Sequence, residues 1–151
     1  MEFIFLVHIL ATFFSFSLAL FLQAVQLPLI RYIGPYQYPI YYEKQKMKLT
    51  LITFPIYTLE GFTAIVLMIT FFAKGDMSEA RQNSFFIYLS TLILILLIHL
   101  ITFYFIKPLL KKLLKTWEEK VLKELMWWNL GRTLLWLGRV IILLVLVIRP
   151  S

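Results

Sequence analysis

Four apolar stretches, at residues 3–30, 49–73, 83–106 and 127–148, alternate with polar and basic connections along this 151-residue chain. A helix rising about 1.5 Å per residue needs about 20 apolar residues to cross a bilayer's hydrocarbon, and every stretch meets that length. The pattern predicts an all-α fold: one integral membrane domain over residues 1–151, built as a four-transmembrane-helix bundle. The first stretch is long and opens on the acidic Glu2, so a retained helix is expected rather than a cleaved signal peptide.

The connection after the third stretch has a pattern of its own. Leu109, Leu113, Trp117, Val121 and Leu125 recur at helical spacing among lysines and glutamates, which predicts a cytoplasmic helical extension between helices 3 and 4. Such a helix either lies on the membrane or carries a span beyond it. The first connection, residues 31–48, is rich in tyrosine and holds Gly34, Pro35 and Pro39. Its rings suit either an interfacial belt or a lid over a pocket.

The last stretch breaks the apolar pattern most sharply, because Arg132 and Arg139 sit in its interior. At 3.6 residues per turn, Asn129, Arg132, Thr133, Trp136 and Arg139 fall on one face. An unpaired guanidinium at mid-bilayer costs at least ~2.5–3.5 kcal/mol, so that face is expected to meet protein rather than lipid. Glu60, in the second stretch, is the natural partner, and an ion pair with Arg139 or Arg132 is expected.

Depths along the spans select the residues that can meet them. Measured from the cytoplasmic end of each stretch, Glu60 falls at roughly 16 Å and Arg139 at roughly 18 Å, Gln23 and His99 at roughly 12 Å, and Gln26 and Arg132 at roughly 8 Å. The expected ligand-binding set is therefore Glu60, Arg132, Arg139, Asn129, Trp136, Gln23, Gln26 and His99. His8, at roughly 34 Å, is expected to lie outside that layer and too far from His99 to share a haem iron; ligation through His99 alone stays open.

Composition supports the membrane assignment: 61% of residues are hydrophobic and 15% charged. The net charge of +7 is concentrated in the connections, which indicates anionic lipid rather than nucleic acid as the partner. Lys and Arg number four and six in the first and third connections, against none, two and one at the N-terminus, second connection and C-terminus. That bias predicts a multi-pass protein of a bacterial-type cell membrane with both termini outside the cytoplasm. The absence of cysteine removes disulfides and thiolate chemistry, and with two histidines no metal site is expected; cofactors stay unassigned.

Several residues carry a resemblance. Gln26, Pro28, Tyr41, Pro55, Glu60, Thr63 and Ala64, followed by Asn-x-x-Arg-Thr-x-x-Trp-x-x-Arg from Asn129 to Arg139, resemble a family of small four-helix bacterial membrane proteins of unknown function. Members carry a His-x-x-His pair in the first connection where this chain has Tyr42 and Gln45, so no metal role is carried over. The layout is also distantly similar to the bacterial membrane protoporphyrinogen oxidases and the copper-resistance membrane domains, without either ligand set.

Three functions fit these observations. In the first, a cavity in the cytoplasmic half binds a polar-headed amphiphile, a lipid or quinone, through Glu60, Arg132 and Arg139. In the second, the chain is an accessory subunit of a larger membrane complex or a homo-oligomer, and its polar layer only sets helix register. In the third, Glu60 is the acid or base of a membrane enzyme with an arginine stabilising charge.

Overall fold

The computed structural model describes the backbone of residues 2–73 and 79–148 and the side chains of residues 3–70 and 85–148. The helices are α1 (Glu2–Phe21), a π-helical turn (Leu22–Gln26), α2 (Leu27–Ala73), α3 (Glu79–Ile101), a second π-helical turn (Thr102–Ile106), α4 (Lys107–Lys115) and α5 (Glu119–Ile148). The fold is all-α among the described residues. Residues 74–78 of the second connection and Arg149 lie outside them.

Among the described residues, three helical runs are long and apolar enough to cross a membrane, where four were expected: Phe3–Thr70, which is broken at Gly34, Phe85–Lys115 and Glu119–Ile148. The expected first connection is not a loop. Residues 31–48 are helical and belong to α2, whose backbone leaves helical geometry at Gly34 (φ 75°, ψ 169°). Pro35 explains why the break falls there: a proline disfavours helical backbone in the residue before it, and glycine alone enters positive φ without penalty. The chain folds back at this point, since the His8 Nδ1 on α1 lies 2.9 Å from the Thr63 Oγ1 on the far arm of α2.

Both π-helical turns end two residues before a proline, Pro28 and Pro108. A proline ring crowds the carbonyl four residues earlier and supplies no N–H, so the preceding turn widens and takes up an extra residue. In the first turn, that residue changes the direction in which Gln23 and Gln26 point.

The predicted helical extension between the third and fourth apolar stretches is present, shared between α4 and the beginning of α5. They are separated by a short break in which Thr116 is extended. α5 accordingly starts at Glu119, before the Trp127 expected from hydropathy. This break and the Gly34 break lie at the same end of the molecule. Tyr38 is buried with its ring 5.0 Å from that of Trp117, and Arg31 reaches Glu119 at 3.8 Å. Leu27, Ile30, Ile106, Leu113 and Leu125 close the apolar core beneath them. Tyr38 is thus a core residue rather than part of a lid, whereas Tyr32 and Tyr36 are exposed.

Outward faces of the long helices carry large apolar side chains, among them Phe14, Phe62, Ile65, Leu96 and Ile141. Polar side chains are turned inward instead: His8, Thr12, Ser15, Glu60 and Arg139 are buried. This inversion of the usual soluble arrangement fits a hydrocarbon surround.

Candidate functional site: a buried charge cluster between three helices

Small and polar residues on α1 let the helices approach closely. Ala11, Thr12, Ser15 and Ala19 are all buried, spaced at three and four residues so that they share one face. Glu60 of α2 and Arg139 of α5 meet opposite that face and form an ion pair in which Arg139 Nη1 donates to Glu60 Oε1. Thr12 Oγ1 also donates to Oε1, at 3.0 Å, and Ser15 Oγ donates to Oε2 at 3.1 Å. Both carboxylate oxygens are therefore engaged, as a buried carboxylate requires.

His8 belongs to this cluster, contrary to expectation. Its Nδ1 faces Thr63 Oγ1 at 2.9 Å and its Nε2 faces Arg139 Nη2 at 3.5 Å. Thr63 commits its hydroxyl proton to the backbone, at 2.8 Å from the Leu59 carbonyl. The arginine has no acceptor to offer. The one consistent assignment is a neutral ring that donates from Nδ1 to Thr63 and accepts from Arg139 at Nε2. The depth estimate failed because it counted Glu60 from Leu49, the edge of the apolar stretch. The fold turns at Gly34, and His8 and Glu60 stand the same number of residues before and after it.

A second layer lies closer to the Gly34 end of α5. Arg132 Nη2 donates to Asn129 Oδ1 at 2.6 Å, and Asn129 Nδ2 donates to Gln23 Oε1 at 2.7 Å. Thr133 caps the row with a bond to the Asn129 carbonyl at 2.8 Å. Arg132 is 7% exposed and pairs with no carboxylate among the described residues. Its Nε, the Trp136 Nε1 and the Arg139 Nε are buried without an acceptor. All three are groups that can only donate.

Trp136 links the layers. Its ring lies 5.1 Å from the Arg139 guanidinium carbon and stacks on Tyr57, 14° from parallel. Six of the eight residues expected at the site, Glu60, Arg132, Arg139, Asn129, Trp136 and Gln23, are buried or hydrogen-bonded in this region, in two layers rather than one constellation. Gln26 is buried yet lines a surface groove instead. His99, the eighth, lies outside the cluster. It is exposed, its Nδ1 bonds the Ile95 carbonyl of its own helix at 2.8 Å, and its ring touches the edge of Tyr57. Its expected depth was sound, but depth does not determine the side of a helix on which a residue projects.

The residues missed by sequence reasoning are His8, Thr12, Ser15 and Thr63. For His8, Thr12 and Ser15 the signal was the run of polar and small positions on α1 at helical spacing, which marks a face for close helix approach in a membrane; Thr63 lies on α2, one turn after Glu60. No protein-family model, curated protein or solved structure matches the chain.

Proposed function

We propose that this chain is an integral membrane protein of four spans that binds the acceptor-rich head of an amphiphile, a lipid or quinone, at Arg132. Four spans follow from the 68-residue first run, several times longer than needed for one crossing and folded back at Gly34. The Lys/Arg asymmetry supports an orientation with the Gly34 end and the α4–α5 break on the cytoplasmic side and both termini outside, in a bacterial-type cell membrane.

Arg132 carries the binding proposal. A buried guanidinium with one amide partner, an unused Nε and no carboxylate is poised for a carbonyl, carboxylate or phosphate oxygen. Glu60 and Arg139 take a different part from the one first considered: their groups are nearly sealed, at 3% and 0% side-chain exposure, and serve to lock α1, α2 and α5 together. That closure equally disfavours Glu60 as an acid or base acting on a substrate.

The test is gentle purification followed by extraction and mass analysis of bound amphiphiles, for the wild type, Arg132→Lys and Arg132→Gln. A stoichiometric lipid or quinone in the wild type, kept in part by lysine and lost with glutamine, supports the proposal. Equal content in all three proteins overturns it, as does a folded wild type without bound amphiphile. A polypeptide co-purifying in fixed ratio with that empty protein favours the accessory-subunit reading, in which the closed Glu60–Arg139 core is purely architectural.

A further inference from the structure

A groove of about 410 Å³ is lined by residues from the two arms that meet at Gly34, the first π-helical turn with its neighbours on one side and the far arm of α2 on the other. Phe21 and Val25 line one wall; Lys44, Lys48 and Leu49 line the other, and Gln26 lies between them. The volume falls in the range of small-molecule sites, roughly 300–1,000 Å³. Polar and apolar residues alternate along its length: Lys44 and Gln26 lie nearer the Gly34 turn than Phe21, and Lys48 stands beside Leu49.

Three side chains in this groove have unmet chemistry. Lys44 and Lys48 are exposed and one helical turn apart, and neither pairs with a carboxylate among the described residues. Gln26 is 7% exposed, yet its amide has no hydrogen-bond partner among them. Gln26 is not among the side chains whose polar atoms are sealed without a partner, so its amide opens into the groove, where it can donate to and accept from the oxygens of a ligand.

We propose that the groove is a binding site for an anionic glycerophospholipid. An acyl chain lies on Phe21, Val25 and Leu49, the phosphate is held by Lys44 and Lys48, and the Gln26 amide hydrogen-bonds the polar head. Charge complementarity chooses the occupant: two ammonium groups next to an apolar wall fit a lipid that presents an anion at the hydrocarbon boundary. A zwitterionic lipid offers the same phosphate but adds a cation that these lysines repel. The proposal rests on the membrane reading above but not on Arg132, so the two binding sites can fail separately.

Native mass spectrometry of the full chain released from nanodiscs provides the test, with phosphatidylglycerol and phosphatidylcholine in equal amounts as the probe. The wild type is expected to retain about one phosphatidylglycerol with a preference of about tenfold, the value of one charge-assisted contact. Lys44→Gln/Lys48→Gln is expected to abolish the preference, and Lys44→Arg/Lys48→Arg to keep it. Gln26→Leu is expected to lower retention several-fold with the lysines intact. The control is Lys111→Gln/Lys112→Gln on α4, which removes the same charge away from the groove. An equal loss in this control would identify general attraction to a basic surface and overturn the proposal. Undiminished preference in Lys44→Gln/Lys48→Gln would also overturn it. Both lysine pairs are exposed, so loss of fold does not confuse the comparison.

Discussion

Arg139 of α5 and Glu60 of α2 form an ion pair between helices 79 residues apart in the chain, with neither side chain more than 3% exposed. A pair this deeply buried contributes little net stability while intact, because desolvation offsets most of the attraction. Removing one member is different, since it strands the other charge.

Arg139→Ala is therefore expected to destabilise the protein by about 3–5 kcal/mol, and Arg139→Lys by less, because lysine keeps the charge but not the planar fork. Glu60→Gln should relieve part of the Arg139→Ala loss by removing the stranded carboxylate. A double-mutant cycle read by thermal unfolding in detergent checks this coupling, and strict additivity would contradict it.

The membership of His8 can be tested separately from the pair itself. His8→Leu removes the acceptor for Arg139 and the donor to Thr63, and is expected to cost about 0.6–2 kcal/mol, the usual range for polar contacts between membrane helices. His99→Leu is expected to shift stability by less than about 0.5 kcal/mol, as an exposed residue bonded only to its own helix. Thermal unfolding of the two variants side by side decides the point; equal losses would place both histidines on the same footing.

Sequence patterning foretold the helical class, the buried stripe of α5 and the pairing of Glu60 with one of two arginines, because charged groups in apolar stretches have few places to go. Of Arg139 and Arg132, the structure selects Arg139. The continuity of α2 through residues 31–48 was not legible. Two prolines and five tyrosines there look like a turn, yet only Gly34 leaves helical geometry. That one error displaced the origin from which depths were counted and excluded His8. The separation of His99 from the cluster was hidden for another reason: helix rotation is set by packing, which a period of 3.6 leaves free.

Gly34 should be sensitive to substitution for a purely conformational reason. A methyl group added there has no heavy atom within 4 Å, so Gly34→Ala incurs only the cost of positive φ with extended ψ, about 1–3 kcal/mol. Gly61 and Gly138 also have open space around an added methyl but lie inside helices. Alanine there is expected to be neutral or stabilising by up to about 1 kcal/mol. Unfolding midpoints for the three variants should diverge in sign, and a shared sign would argue against the assigned Gly34 backbone.

Pro28 is expected to control the Arg132 row at a distance. With alanine at position 28, the crowding that widens the preceding turn disappears, and the helix can return to α geometry. Losing the extra residue rotates α1 by about 100° relative to α2, which turns Gln23 away from Asn129. Because the chain has no cysteine, the movement can be followed directly by introducing Gln23→Cys with Asn129→Cys and measuring the yield of a short thiol cross-linker. The yield should be high with Pro28 and fall several-fold in Pro28→Ala. Pro108→Ala, which relaxes the other π-helical turn, should leave it unchanged. Equal cross-linking in all three backgrounds would mean that Gln23 is positioned by its contacts with α5 rather than by the proline.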